Sequence, residues 1–175
     1  SERQSLRWRQ DFIRTYLERE IAQYLPHGMR ISSLALRQIW TMLAHLQGGM
    51  LNMAQLSRNV GLDVRTLNHY VSLLVDLLLV RRLLPWHTNL GKRLIKSPKV
   101  YLRDSGLVHA LLDIESKENL LSHPALGASW EGFVIENILN VLPPHAQASY
   151  YRSVAGAEID LLLTWPGGKE GGRHW

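Results

Sequence analysis

Apolar side chains recur every three or four residues over two long stretches at the start of the chain. This spacing places them on one face of a helix, with polar residues on the opposite face. The pattern therefore predicts an amphipathic helix over residues 6–25 and a second helix over residues 33–46. Pro26 and Gly28 separate the two helices, because proline and glycine end helices.

The next segment carries local signals for two further helices joined by a tight turn. Asn52 is placed to cap a helix over residues 53–60, and Gly61 supplies the left-handed conformation that ends it. Asp63 is placed to cap a longer helix over residues 64–79. This arrangement is typical of a helix-turn-helix. The predicted inward positions of the longer helix are Val64, Leu67, Val71, Leu74 and Leu78.

Two short strands, Val80–Leu84 and Val100–Leu102, are predicted after the helices. A polar, glycine-containing loop joins them, as in the wing of a winged helix. Further on, the pattern predicts a short helix over residues 106–112, a polar connector as far as Pro124 and a helix over 127–141. Two strands, 149–153 and 158–164, follow at a turn.

The predicted fold class is therefore mainly α with small β elements, an α+β chain. The chain divides into an N-terminal helix in residues 1–32, a winged helix in 33–104 and an α/β segment in 105–175. The sequence has no cysteine, which excludes disulfides and thiolate metal sites and favours a cytoplasmic location. Its apolar runs are too short to span a bilayer, so no membrane contact is expected.

The net charge of +5 attracts anionic partners, and the positive charge is concentrated in one window. Residues 77–103 contain seven Lys or Arg residues and no acidic residue. In winged helices the third helix enters a groove of the duplex and the wing contacts phosphates. A basic wing is equally compatible with an acidic protein partner, so both interpretations stay open. The candidate nucleic-acid contacts are Arg65, Asn68, His69, Ser72, Arg81, Lys92, Arg93, Lys96 and Lys99.

Three carboxylates in the last segment are candidates for a metal site. Glu131 lies on the predicted helix, and Glu158 and Asp160 share one face of a predicted strand. Mg²⁺ takes carboxylate oxygens and activates water, which is the chemistry of a metal-dependent nuclease. On spacing alone, ordinary ion-paired carboxylates are the commoner case, with Arg152 as a natural partner.

Nothing in the sequence can form a phosphate-binding P-loop. The pairing of Gly168 with Lys169 lacks both the earlier glycine of the motif and the Ser or Thr that follows the lysine. No ATP and no other cofactor is therefore expected in this chain.

Five runs of sequence are distinctive when taken together, namely residues 14–21, 89–107, 127–137, 150–153 and 156–161. They resemble one family, the prokaryotic AAA-type P-loop ATPases that carry a C-terminal domain of unknown function. The resemblance covers nearly the whole chain to about Trp165. It implies an ATPase domain, with its ATP and Mg²⁺, before residue 1. It also implies a winged helix followed by a fold like the PD-(D/E)xK restriction-endonuclease core.

In the PD-(D/E)xK motif, Glu131 matches the helix acid and Asp160 the strand acid, which makes these two the metal candidates. The motif also requires a strand bearing Glu-x-Lys, expected soon after Gly168. The sequence there reads Lys-Glu-Gly-Gly-Arg-His-Trp, so the lysine that would stabilise the attacking water is missing. The resemblance therefore implies a core cut before its third strand, without catalytic activity of its own.

Three hypotheses result. The first is a nucleic-acid-binding accessory region of an ATPase, with double-stranded DNA as partner. The second is a protein-interaction module that regulates the ATPase domain or joins copies of the chain without contacting DNA. The third is part of a Mg²⁺-dependent nuclease that is complete only in a longer protein.

Overall fold

The computed structural model describes residues 2–16, 32–86, 97–165 and 173–174. They form helices and short strands in two groups, an N-terminal part (α1–α5 with β1 and β2) and a C-terminal part (α7 with β3–β5), with α6 between them. In chain order the elements are α1 Glu2–Thr15, α2 Ser33–His45, α3 Met53–Val60, α4 Val64–Asp76, β1 Val80–Leu83, β2 Lys99–Leu102, α5 Ser105–Leu111, α6 Lys117–Ser122, α7 Leu126–Asn140, β3 Gln147–Arg152, β4 Glu158–Trp165 and β5 Arg173–His174.

The capping signals act as predicted. The Asn52 side chain accepts a hydrogen bond from the Gln55 amide at the start of α3. Gly61 ends α3 with a φ of 72°, and the Asp63 side chain caps α4. These caps satisfy backbone N–H groups that have no partner within the helix. They fix the turn between α3 and α4.

Two helix boundaries differ from the prediction. α1 begins at Glu2 and ends at Thr15, and the remainder of the predicted helix includes residues outside the described ranges. α4 ends at Asp76, because the backbone at Leu78 turns to a φ of 59°. Val64 and Leu78, which were predicted to face inward, are exposed. Tyr70 is instead buried in the stripe beside Leu67, Val71 and Leu74.

β1 and β2 form an antiparallel hairpin in which Val80 lies opposite Leu102. Lys99, at the start of β2, also pairs with Met50 of the segment between α2 and α3. One apolar core joins this hairpin to helices α1–α5. The predicted short helix after the strands, α5, packs into this core through Leu107 and Val108.

The C-terminal part consists of α7 against an antiparallel sheet of order β3-β4-β5. Its sheet joins the N-terminal part where the chain leaves β1. There the Tyr150 amide donates to the Leu84 carbonyl, and the Trp86 amide donates to the Tyr150 carbonyl. Two elements were not predicted: α6 lies in the supposed connector, and β5 lies in the supposed tail.

The mixed α and β composition of the prediction is confirmed. α6 was missed because it has only six residues and its main signal is one cap, in which Ser116 accepts from the Asn119 amide. Across the described ranges, every helix is too short or too polar to cross a membrane.

Candidate functional site

The three carboxylates that the sequence offered as metal ligands meet around a lysine from the other part of the molecule. Lys99 lies on β2 and is 3% exposed. Its Nζ atom lies 2.6 Å from Oε1 of Glu158 and 2.7 Å from Oδ1 of Asp160. Oε1 of Glu131, on α7, lies 3.3 Å from the same nitrogen. The cluster of Lys99 with these three residues is called the lysine–carboxylate site below.

The two aromatic residues beside Lys99 are fully buried. The Tyr101 hydroxyl, two residues along β2, donates to Oε1 of Glu131 at 2.5 Å. Because alternate residues of a strand share one face, Lys99 and Tyr101 both reach the carboxylates. The ring of Tyr150 lies 5.8 Å from the Lys99 nitrogen, and its hydroxyl donates to the Ser97 carbonyl. The lysine is thus enclosed by polar and aromatic partners.

The electrostatics keep Lys99 charged. Burial alone would lower the pKa of Lys99, but hydrogen bonds to Asp160 and Glu158 and the charge of Glu131 outweigh it and raise the pKa. Burial, followed by the hydrogen bond to Glu131, raises the pKa of Tyr101, which stays protonated at neutral pH. The lysine–carboxylate site therefore holds an ammonium and a neutral phenol.

A second ion cluster lies on the same α7 helix. Glu136 is 4% exposed and binds two arginines of the N-terminal part. Arg81 of β1 donates hydrogen bonds to Glu136 from two nitrogens, Nε to Oε1 and Nη2 to Oε2, the second at 3.0 Å. The Arg103 Nε, just past β2, lies 2.9 Å from Oε2. A bidentate guanidinium contact of this kind is strong and directional.

The two clusters account for every acidic residue of the C-terminal part between residues 126 and 165. Each contacts a cation on or next to the β1–β2 hairpin, either Lys99, Arg81 or Arg103. The predicted link between Arg152 and one carboxylate is also present, with Arg152 Nη1 at 3.3 Å from Glu158. Charge complementarity therefore joins the two parts.

This placement changes the set of candidate nucleic-acid contacts. Lys99 and Arg81 are used within the molecule, so their charges are not presented to a phosphate. Asn68 and Ser72 lie 3.3 Å and 3.5 Å from the guanidinium of Arg82, which they help to hold on the edge of α4.

The remaining candidates fall into two groups. Arg65 and His69 are exposed on α4. Lys92, Arg93 and Lys96 lie outside the described residues, so the structure does not test them.

The metal candidates Glu131 and Asp160 both lie beside the Lys99 nitrogen, with Glu158 as a third carboxylate. The arrangement nevertheless does not fit a metal ion. The carboxylates are spaced around an ammonium, and within the described ranges no group of three or more His, Cys, Asp or Glu side chains is placed to hold a metal. The contact of Lys99 with these carboxylates was not predicted from the sequence. The available signal was a lysine between Pro98 and Val100, within a strand of otherwise apolar and aromatic residues.

The chain belongs to the family described as a domain of unknown function, DUF8612, whose profile matches residues 1–118. Residues 126–170 match a second domain of unknown function, DUF4143, which is typically found in C-terminal regions associated with AAA-type ATPases. The two matched regions correspond to the two parts that meet at the lysine–carboxylate site.

Two curated mycobacterial proteins are similar over most of the chain. They are Uncharacterized protein Rv2008c of Mycobacterium tuberculosis and Uncharacterized protein Mb2031c of Mycobacterium bovis. Each is 43% identical over 167 residues, which is 95% of this chain and 37% of the relative. The chain thus spans little more than a third of these relatives. No solved structure matches it.

Proposed function

We propose that this DUF8612 chain is an accessory region of an AAA-type ATPase that binds double-stranded nucleic acid without cutting it. The resemblance to such ATPases and the usual setting of DUF4143 support the ATPase connection. The curated relatives are long enough to contain an ATPase domain as well. A Gly-x-x-x-x-Gly-Lys-Ser/Thr motif in the same gene would test this connection, and its absence would contradict it.

We propose further that residues 33–104 form a winged helix. The order α2, α3, α4, β1, β2 supports this, as does the single antiparallel β-bridge between Met50 and Lys99, which ties the segment before α3 to the hairpin. In a winged helix, α4 would be the helix that enters the groove.

The exposed face of α4 is the observation that carries the binding proposal. Arg65 and His69 lie one turn apart on this face, and neither forms an ion pair with another described residue. The opposite face is anchored in the core by Leu67 and Val71. A rigid helix with an exposed guanidinium suits contact with phosphates.

Duplex binding, measured by fluorescence anisotropy across a salt series, tests this surface. We expect affinity to fall as salt rises, because phosphate contacts release counterions. Arg65→Glu should weaken binding and reduce the slope of log K against log salt by about 1. Arg37→Glu is the matched control, because Arg37 is exposed on α2, a different helix, and the change in net charge is the same. Equal effects of the two variants would exclude α4 as the binding surface.

The lysines and arginine of the segment between β1 and β2 extend the test. Charge reversal at Lys92, Arg93 and Lys96 together should reduce binding further than Arg65→Glu alone. If the unmodified chain does not bind duplex DNA at low salt, the nucleic-acid proposal fails as a whole.

The proposal that the chain does not cut nucleic acid rests on the contacts that Glu131 and Asp160 make. A Mg²⁺-dependent nuclease needs Glu131 and Asp160 free to take the metal. In this structure both contact Lys99. Plasmid nicking with Mg²⁺ should therefore be absent. Nicking that disappears in a Glu131→Ala, Asp160→Ala double variant would instead establish the nuclease hypothesis.

One surface favours the second candidate, a protein-interaction module. Trp130 and Phe133 are exposed on α7, and their rings stack with centroids 5.6 Å apart. Exposed aromatic side chains are common at protein interfaces. Analytical sedimentation tests this candidate by measuring whether the chain associates with itself or with the proposed ATPase domain of the longer protein. A Trp130→Ala, Phe133→Ala variant should lose any association that depends on this surface.

A further inference from the structure

We propose that Lys99 is the resident cation of the lysine–carboxylate site, so that the site takes an ammonium from its own chain in place of a divalent metal ion. The family resemblance leads one to expect Mg²⁺ among these carboxylates. The described residues point to a different occupant, supplied by β2 of the N-terminal part.

The number of contacts fits an ammonium. A lysine ammonium has three N–H donors and no acceptor. Lys99 has three carboxylate neighbours, Glu131, Glu158 and Asp160, each within 3.3 Å of its nitrogen. Each N–H can therefore find one acceptor. Mg²⁺, in contrast, requires six oxygen ligands at roughly 2.0–2.1 Å in near-octahedral geometry.

The depth of each group favours the same assignment. The side chain of Lys99 is 4% exposed, whereas that of Asp160 is 54% exposed. The lysine thus lies beneath carboxylates that face solvent, and it reaches them from inside the molecule. For a divalent ion to enter, the ammonium would have to withdraw from its partners. It would then be left buried and unpaired among Tyr101 and Tyr150, which is strongly unfavourable.

The charge balance gives the third argument. Lys99 neutralises one of the three carboxylates, and Arg152 neutralises another through Glu158. The hydrogen bond from Tyr101 further stabilises Glu131. Little negative charge remains to attract a divalent ion while the lysine is present. The same site without Lys99 would carry one more uncompensated carboxylate, and it would then attract metal.

The first test observes the ammonium itself in the wild-type chain. A lysine ammonium held by three carboxylates exchanges its protons slowly and gives a separate ¹H–¹⁵N NMR signal. We expect one such signal, assigned by its loss in Lys99→Arg, and we expect it to stay unchanged on addition of excess Mg²⁺. A saturable shift or loss of the signal with Mg²⁺ would overturn the proposal.

The second test adds Mn²⁺ as a probe, with binding followed by electron paramagnetic resonance. Wild type should bind Mn²⁺ only weakly. Lys99→Met should bind Mn²⁺ at least about tenfold more tightly than wild type, because the competing positive charge of the lysine is removed. Lys99→Met, Asp160→Asn should lose this gain. Tight, equal binding by wild type and Lys99→Met would contradict the proposal.

The outcome of these tests is separate from that of the proposed duplex binding, whereas the proposed absence of cutting rests on the same contacts of Lys99. Duplex binding through α4 requires neither Lys99 nor a metal, so the anisotropy measurement can fail while the lysine signal persists. If Lys99→Met does not fold, the NMR experiment on wild type still decides, because it requires no change at that position.

Discussion

The two parts of the molecule are stabilised in different ways. Nineteen of the described residues form the buried apolar cluster of the N-terminal part. The cluster at the C-terminal part has four buried residues, and two of them, Leu83 and Tyr101, belong to the β1–β2 hairpin. The C-terminal part therefore has little apolar core of its own. Besides the shared apolar cluster and the backbone hydrogen bonds at Tyr150, ion pairs of Lys99 and Glu136 join it to the hairpin.

Apolar burial and ion pairing therefore stabilise different parts of the molecule. Apolar burial has no direction and tolerates many arrangements of similar volume. Buried ion pairs depend on geometry, and removal of one partner leaves a charge without compensation. The N-terminal part should accordingly fail as a whole when its core is cut. The C-terminal part should loosen locally when a single carboxylate is neutralised.

The largest expected effect comes from the apolar core. Trp40 is fully buried, and Trp40→Ala should lower the free energy of unfolding by about 3–5 kcal/mol. Both parts should unfold together in urea, because the C-terminal part rests on the hairpin. Trp40→Phe is the control. No acceptor for the indole N–H lies among the described residues, so phenylalanine removes an unpaired buried donor and should cost much less. An equal loss in both variants would contradict this explanation.

A smaller effect is expected at the second ion cluster. Glu136→Gln leaves Arg81 and Arg103 facing a neutral group. Their side chains are 26% and 23% exposed, so water reduces the loss to about 2–3 kcal/mol. Hydrogen exchange should show α7 opening before α2 and α4.

Asp11→Asn provides the comparison for Glu136→Gln. Asp11 pairs with Arg14 on the exposed side of α1, and such pairs contribute about 0–1 kcal/mol. If the two variants are equally stable, the ion pairs of α7 do not hold the C-terminal part in place.

The smallest of these effects is a dependence on alkaline pH. The folded pKa values of Lys99 and Tyr101 both lie above their ordinary values of 10.5 and 10.0. Their contribution to stability is complete below those ordinary values and is lost as pH rises through the folded pKa values. Urea unfolding should therefore show stability falling above about pH 10. Tyr101→Phe should reduce the slope, and an unchanged slope would exclude Tyr101 as a contributor.

Much of the fold could be predicted because its signals are local. Asn52, Gly61 and Asp63 set the turn between α3 and α4 through contacts within three or four residues. The end of α4 could not be predicted in the same way. Leucines continue the helical pattern through Leu78, and nothing local shows that the backbone turns there to reach the hairpin.

The carboxylates of the candidate site could be predicted from the sequence, but the lysine at its centre could not. Glu131, Glu158 and Asp160 were identified from their residue type and their places on one helix and one strand. Lys99 was assigned to a wing surface, because charge density alone cannot show which way a side chain points. The contact between Lys99 and Asp160 spans 61 positions in the chain, and no periodic pattern encodes such a pairing.

A double-mutant cycle between Lys99 and Asp160 tests the lysine–carboxylate site most directly. Asp160→Asn should destabilise the wild-type chain in urea unfolding. In a Lys99→Met background the same change should be neutral or stabilising, because it removes an uncompensated negative charge. The expected coupling is about 0.5–3 kcal/mol, and the 54% exposure of Asp160 favours the lower part of that range. If Asp160→Asn has the same cost in both backgrounds, within about 0.5 kcal/mol, then Lys99 does not hold the carboxylates together.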